Sequence, residues 1–268
     1  MKAGPRGGLL FLATLVVASL LAPYLAPFAA DALDLANRRA APSLLHWFGT
    51  DELGRDVLTR VLVGARVSLA IGVLSALMSA AIGVAVGAVA GYAGRLVDDA
   101  LMRATDAMLA IPRLPLLMLG AAVLQPGVPM LILLVAAAGW METARVVRAE
   151  VQSLSSLDFV QAARAIGANP LGVIVRHIVP GIIPAATVAT TLAIGRGILL
   201  ESTMSFFGVG VQPPTASWGN MLYQAQTAMT SEPWLAIFPG LFIFATVLAC
   251  NAVGDAIGSS PSQQQAVP

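Results

Sequence analysis

The chain has 268 residues, of which 57% are hydrophobic and 11% are charged, and its formal net charge is +1. Soluble domains carry about 25% charged residues, so this composition excludes an ordinary water-soluble protein and indicates a chain embedded in lipid. The near-neutral charge argues against a nucleic-acid partner. A single cysteine excludes an intrachain disulfide or a thiolate metal cluster, and two distant histidines exclude a His-rich metal site.

Six segments are long and apolar enough to span a bilayer, which predicts an all-α, polytopic membrane protein. In chain order the expected transmembrane helices are residues 7–30, 67–94, 108–125, 129–147, 181–201 and 234–254. The sequence QPGVP at 125–129 predicts a tight turn between the third and fourth helices. Glycines and prolines interrupt the uncharged stretch 202–231, so we expect an extracytoplasmic or re-entrant loop there.

The pattern divides the chain into three parts. Residues 1–66 hold the first transmembrane helix and a periplasmic segment, residues 67–257 hold the membrane core with a polar loop at 155–180, and residues 258–268 form a small, polar tail that we expect to be disordered. The first helix also has features of a cleaved signal peptide, because Lys2 and Arg6 precede an apolar run. The run continues to residue 30, which favours a retained helix.

The distribution of basic residues predicts the orientation. With an even number of spans, both termini lie on the same side of the membrane. Placing them in the cytoplasm puts nine basic residues inside and five outside, which agrees with the positive-inside rule. This orientation places the loop between the fourth and fifth spans in the cytoplasm.

That loop contains DFVQAARAIGANPLGVIVRHIVP, residues 158–180. The pattern predicts a hairpin of two short helices joined by a glycine. Ser155 and Asp158 suggest a capping box at the first helix start. Gly167 suits the left-handed residue that ends a helix, and Asn169 with Pro170 suits the start of the next. We expect the second helix to end near Val179, where the prolines that follow stop or kink the chain.

The first of these helices presents a mixed surface. Phe159, Ala163 and Ile166 share one face by their spacing, and the small side chains of Ala162 and Ala163 allow a close approach by another backbone. Two interpretations remain open from the pattern alone. The hairpin is either a connector that covers the inner face of the bundle or a rigid surface that docks a cytoplasmic partner.

Lys2 is the only lysine of the chain. A phosphate-binding loop of the form G-x-x-x-x-G-K-[ST] is therefore excluded. If transport through this protein uses ATP, a different subunit must bind the nucleotide.

The hairpin resembles the EAA loop of the inner-membrane subunits of bacterial ABC importers. That pattern is E-A-A, three residues, Gly, nine residues and I-x-L-P, and here Gln161, Ala162 and Ala163 precede Gly167 and Pro180 at the matching distances. The sequence departs from the pattern at three positions, where Gln161, His177 and Val179 stand. The loss of the glutamate puts in doubt any contact that needs a carboxylate there.

Two further stretches resemble the permeases of the dipeptide, oligopeptide and nickel importer family, namely HWFGTDELGRDVLTRVLVGARVSLAIG at 46–72 and ESTMSFFGVGVQPPTASWGNML at 201–222. The resemblance implies a type I ABC importer permease in the bacterial inner membrane. It implies as partners a second homologous permease, two ATPase subunits that bind ATP and Mg, and an extracytoplasmic substrate-binding protein. The implied ATPase-coupling residues are Phe159, Gln161, Ala162, Ala163, Gly167, Asn169, Pro170 and Pro180.

Two charged residues near the fifth span are candidates for the translocation pathway. Arg196 and Glu201 lie where charge is costly and usually faces a protein interior or an aqueous cavity. An interhelical salt bridge, or extension of the side chain to the membrane surface, explains Arg196 equally well. We assign no catalytic residue and no metal ligand.

The stretch GTDELGRD concentrates charged side chains near His46, namely Asp51, Glu52, Arg55 and Asp56. A metal or acid–base site is one interpretation. The favoured one is a helix start, with Thr50 as N-cap and acidic residues in the first turn.

The expected function is a non-enzymatic permease subunit of an ATP-driven importer for dipeptides or oligopeptides. A nickel or glutathione importer is the alternative within the family. A secondary transporter would need more ionisable residues within the membrane than this chain offers, and an intramembrane enzyme would need paired catalytic groups at one depth.

Overall fold

The computed structural model describes residues 5–124 and 127–259, and this part of the chain is helical, with an isolated backbone bridge between Thr50 and Asp56. The helices are α1 (Pro5–Leu25), α2 (Val57–Tyr92), α3 (Arg95–Ala110), α4 (Arg113–Val123), α5 (Val128–Ser155), α6 (Asp158–Ala165), α7 (Pro170–Val173), α8 (Val179–Phe206), α9 (Trp218–Ala225) and α10 (Trp234–Gly258). The predicted all-α, polytopic fold is confirmed.

Five helical segments in the described ranges are long and apolar enough to cross a membrane: α1, α2, α5, α10 and the continuous helix of residues 170–206. The third predicted span, at 108–125, is not one helix. It corresponds to α3 and α4, which are bent by 85° at a short break. The break has a local cause, because Pro112 disfavours helical backbone at Ile111, and Ile111 adopts an extended conformation.

The α2 helix begins ten residues before the predicted start of the second span. Its N-cap is Asp56, whose carboxylate accepts hydrogen bonds from the backbone N–H and the hydroxyl of Thr59, both at 2.8 Å. The predicted cap at Thr50 is wrong, since Thr50 instead pairs with Asp56 through the backbone.

The predicted helix end near Val179 is also wrong, because the chain remains helical from Pro170 to Phe206. A π-helical turn at Ile174–Ile178 lies immediately before Val179 and Pro180. Pro180 has no backbone N–H and would crowd the carbonyl four residues earlier in a regular α-helix. The wider π turn accommodates Pro180 within the continuous helix.

Small residues allow α2 to pack closely against α5, as their spacing by fours suggests. A Cβ atom added at Gly83 would lie 2.6 Å from the Cβ of Thr143, and one added at Gly87 would lie 2.5 Å from the carbonyl oxygen of Ala144. These glycines therefore determine how closely α2 and α5 approach each other.

Two sequence predictions fall partly outside the described residues. Gln125 and Pro126 of the expected QPGVP turn lie outside them, and so does the expected disordered tail from residue 260 onward. Within the described part, α10 ends at Gly258 and is capped by Ser259.

Candidate coupling hairpin and charges within the membrane

The two short helices of residues 158–180, here named the hairpin, meet at Gly167, which has φ +80°. The backbone N–H of Gly167 donates to the carbonyl of Arg164, and that of Ala168 donates to the carbonyl of Ala163, at 3.0 and 3.1 Å. This pair of bonds is the Schellman motif. The side chain of Asn169 then accepts from the Leu171 N–H at 3.0 Å and caps the next helix. The hairpin therefore has the helix–glycine–helix geometry that the sequence predicts.

Three apolar side chains anchor the hairpin to the membrane core. Val160, Val173 and Ile178 are at most 1% exposed, and they belong to one cluster with Val147 and Val151 of α5. Ala163 packs at the edge of the same cluster. Burial of this kind stabilises by about 25 cal/mol per Å² of apolar surface removed from solvent, so the hairpin is held against α5 as a folded unit.

The opposite side of the hairpin exposes large apolar groups. Ile166 is 86% exposed and Leu171 is 68% exposed, while Phe159 and Val175 are about half exposed. The remaining predicted coupling residues on the exposed side are Gln161, Ala162, Gly167, Asn169, Pro170 and Pro180. An apolar surface with this degree of exposure on a polar segment is typical of a protein contact site.

The start of the hairpin differs from the sequence prediction. Ser155 does not cap α6, because it is the last residue of α5, and the α6 N-cap is Leu157 without a side-chain hydrogen bond. Gln161 instead secures the turn, since its Nε2–H donates to the Ser155 carbonyl at 2.9 Å. An ionised glutamate has no hydrogen to donate, so Gln161 makes a contact that a glutamate at this position would lack.

Arg196 lies in the C-terminal half of the long helix 170–206, and its guanidinium contacts the carboxylate of Glu142 on α5. The guanidinium of Arg113, the first residue of α4, contacts the same carboxylate. Three helices therefore meet at one charged cluster, here named the Arg–Glu–Arg cluster. The structure brings Arg196 into an interhelical salt bridge, and it also leaves the side chain 42% exposed.

Glu201 has no exposed surface. Its carboxylate accepts hydrogen bonds from the hydroxyls of Ser68, Ser202 and Ser205, at 3.0, 3.3 and 2.8 Å. Ser205 in turn accepts from the backbone N–H of Val211 at 3.0 Å. This geometry fastens the loop after α8 to α2 and α8, and it does not place Glu201 beside Arg196 on an open cleft.

The GTDELGRD stretch forms a packed turn before α2. Asp51 accepts from the side-chain Nε–H of Arg55 at 2.7 Å and from two backbone N–H groups of the turn. His46 and Asp56 pair through Nδ1 and Oδ1 at 2.9 Å, and both are buried. Nearby, the Asn37 side chain donates to the Asp34 carboxylate at 2.7 Å, which lowers the pKa of Asp34. These bonds fit the structural interpretation of the stretch.

No group of three or more His, Cys, Asp or Glu side chains able to hold a metal ion occurs in residues 5–124 and 127–259. Asp51, Arg55 and Asp56 have partners within the turn and its neighbours. The acid–base interpretation therefore gains no support from its geometry.

Sequence reasoning did not find the partners of Arg196. Charged residues recur along one side of α5, where Glu142, Arg145 and Arg148 contact Arg113, Asp106 and Asp98 in that order. The i, i+3 spacing on α5 was a usable signal, because such residues share a helix face. The bend between α3 and α4 that brings their partners into reach has no comparable signature.

Comparison with known proteins identifies the family. The family described as binding-protein-dependent transport system inner membrane component matches residues 83–259. The chain is 42% identical over 249 residues to the glutathione transport system permease protein GsiD of Escherichia coli O6:K15:H31 (strain 536 / UPEC) and to that of Shigella boydii serotype 4 (strain Sb227). Each match covers 92% of this chain and 82% of the relative.

These matches agree with the spanning helices, with the hairpin geometry and with the order of the sequence signatures along the chain. The protein is a multi-pass inner-membrane protein that works with the ATPase and substrate-binding components of its transport system. The chain belongs to the binding-protein-dependent transport system inner membrane component family, and it is the permease subunit of an ABC importer.

Proposed function

We propose that this permease imports small peptides, and that glutathione, a modified tripeptide, is the first cargo to test. The observation that supports this cargo is the 42% identity, over 92% of the chain, to permeases named for glutathione transport. Dipeptides and longer peptides share the amide and carboxylate groups of glutathione. A nickel chelate is the second candidate, because the sequence signatures also resemble nickel importer permeases.

The proposed assembly contains a second homologous permease, two ATPase subunits and an extracytoplasmic binding protein. Both termini and the hairpin face the cytoplasm, in keeping with the excess of basic residues on that side. ATP and Mg are bound by the ATPase subunits. The absence of a phosphate-loop lysine from this chain supports nucleotide binding by the other subunits.

The helix of residues 170–206 connects the hairpin, which we propose contacts the ATPase, with Arg196 in the proposed translocation pathway. It begins in the exposed hairpin, and it carries both Arg196 and the buried Glu201 in its C-terminal half. A displacement of the hairpin can therefore reach Arg196 through one continuous helix. ATPase closure would drive transport by favouring one of two arrangements of this helix, which is a coupling free energy between two sites.

The test is uptake of radiolabelled glutathione by cells that express the complete transport system. Depletion of ATP under conditions that preserve the ion gradients should abolish uptake, and a protonophore at constant ATP should leave most of it. Purification through a tag on this chain should also recover the ATPase subunits. Uptake that follows the ion gradient and not ATP, with no ATPase recovered, would contradict the proposal and favour a secondary transporter.

A second measurement separates the possible cargoes. The purified binding protein of the system is titrated with glutathione, dialanine and a nickel–histidine chelate in a calorimeter. We expect binding of glutathione or dialanine. Exclusive binding of the nickel chelate would overturn the peptide assignment and leave the permease assignment intact.

A further inference from the structure

The Arg–Glu–Arg cluster (Arg113, Glu142 and Arg196) contains more positive than negative charge. Both guanidiniums contact the single carboxylate of Glu142. In the ranges 5–124 and 127–259, no other carboxylate lies within ion-pair distance of Arg113 or Arg196. The cluster therefore carries one uncompensated positive charge.

The other ion pairs between α5 and the α3–α4 segment are balanced. Arg145 pairs with Asp106, and Arg148 pairs with Asp98. One acidic residue for each arginine is sufficient to fasten α5 to α3. A second arginine on Glu142 is therefore not needed for this packing, and it comes from a different helix, the one that continues from the hairpin.

Two members of the cluster, Glu142 and Arg196, lie well inside spanning helices, and Arg113 lies at the break between α3 and α4. Glu142 is near the middle of α5, and Arg196 is more than two turns from the end of the helix 170–206. A charge at such a depth is costly in lipid and faces a protein interior or an aqueous cavity. The side chains of Arg113, Glu142 and Arg196 are nevertheless 29%, 33% and 42% exposed, so this chain alone does not cover them.

The surroundings of the cluster are small and electrically neutral. Ser75, Ser79, Gly139 and Gly197 line the same cleft. The two serine hydroxyls donate to the backbone carbonyls of Gly72 and Ala136, at 3.2 and 3.0 Å. The walls therefore carry no charge, and the arginines are the groups in the cleft that can attract an anion.

We propose that Arg113 and Arg196 bind a substrate carboxylate within the membrane, while Glu142 stays in contact with both arginines. A guanidinium binds a carboxylate through two parallel N–H···O bonds. The excess positive charge allows a second carboxylate to bind without the departure of Glu142. This inference rests on the proposed peptide function, because every peptide with a free C-terminus supplies the required carboxylate.

The location of Arg196 links this binding to the transport cycle. Arg196 lies on the helix that begins in the hairpin, whereas Arg113 lies on the separate helix α4. A shift of the long helix changes the distance between the two guanidiniums. The cluster can therefore hold a carboxylate tightly in one arrangement of the permease and weakly in the other.

The test compares Arg196→Gln with Arg196→Lys in proteoliposomes that contain the complete complex and its binding protein. The probes are radiolabelled glutathione and radiolabelled dialanine, and the readout is the number of molecules taken up per ATP hydrolysed. We expect Arg196→Gln to lower this ratio about tenfold or more, because a charge-assisted contact is lost. Arg196→Lys keeps the charge and should recover a substantial part of the ratio.

Arg145→Gln is the matched control, because it removes the same charge from a balanced ion pair on the same side of α5. It should change the ratio less than twofold. An unchanged ratio in Arg196→Gln would overturn the inference. So would equal losses of uptake and ATP hydrolysis in Arg196→Gln and Arg196→Lys with reduced complex assembly, because that result identifies a purely structural ion pair.

The same experiment separates this inference from the proposed function. If the wild-type complex takes up neither glutathione nor dialanine, the peptide assignment fails and the inference fails with it. If the wild-type complex takes up either probe and Arg196→Gln does so at the same ratio, only the inference fails.

Discussion

Two glycines with nearly the same backbone conformation occupy opposite environments in this permease. Gly54, in the turn before α2, has φ +75°, and Gly167, in the hairpin, has φ +80°. A Cβ atom added at Gly54 would lie 1.8 Å from the carbonyl oxygen of Asp34. A Cβ atom added at Gly167 would meet no atom within 4 Å.

The comparison extends to the segments around the two glycines. The turn before α2 is closed by buried polar contacts, among them the hydrogen bond between His46 and Asp56 and the ion pair between Arg55 and Asp51. The hairpin buries one side and exposes Ile166 and Leu171 on the other. The polar side chains of the turn before α2 pair with groups of the same chain. The hairpin exposes an apolar side that a partner protein can cover.

The largest effect is expected for Gly54→Ala. Any side chain at φ > 0 costs about 1–2 kcal/mol, and here the new Cβ would also overlap the Asp34 backbone. We expect most of the protein to fail to fold. The measurement is the fraction of detergent-extracted protein that elutes as a single peak in size-exclusion chromatography.

Gly167→Ala is the matched control for that experiment. It imposes a similar backbone strain but no overlap, so its folded fraction should remain close to that of the wild type. Equal folded fractions for Gly54→Ala and Gly167→Ala would show that the turn before α2 is not closed as described.

The two segments also differ in how much the sequence predicted about them. The hairpin depends on local signals, and Gly167, Asn169 and Pro170 predicted its geometry from the residue types that caps require. The turn before α2 depends on contacts between residues distant in the chain. The predicted cap at Thr50 was wrong because Asp56 competes for that role and pairs with His46 at the same time.

Tertiary context also explains the other departures. The spans at 108–125 and 181–201 were predicted from hydropathy, which does not register the bend at Pro112 or the π turn before Pro180. Arg196 was identified as costly at its depth, but its partners Arg113 and Glu142 come from two other helices. A single sequence gives no direct signal that charged residues of three different helices contact one another.

A smaller effect on folding, and a selective effect on assembly, is expected for Ile166→Glu. Ile166 is 86% exposed, so the change should leave the folded fraction unaltered. A charge in an apolar contact surface weakens binding, since it must be desolvated. Recovery of the ATPase subunits with the tagged permease should therefore fall about tenfold or more.

Leu44→Glu is the control for this prediction. Leu44 lies in the segment before α2 and is 97% exposed, so the substitution introduces the same charge at an equally open apolar position. The recovery of the ATPase subunits should not change in this variant. Equal losses of ATPase in Ile166→Glu and Leu44→Glu would remove the distinction between the two segments.

Gly167→Val tests the role of the hairpin most directly, with Gly94→Val as its control. Gly94 has φ +92° and ψ 173° and, like Gly167, has no atom within 4 Å of an added Cβ. Neither variant therefore creates an overlap, and the control carries at least as much backbone strain as Gly167→Val. The measurement is the stimulation of ATP hydrolysis by loaded binding protein in the reconstituted complex. We predict that Gly167→Val inserts normally and loses most of this stimulation, while Gly94→Val keeps it. Normal complex assembly and normal stimulation in Gly167→Val would contradict the coupling role of the hairpin.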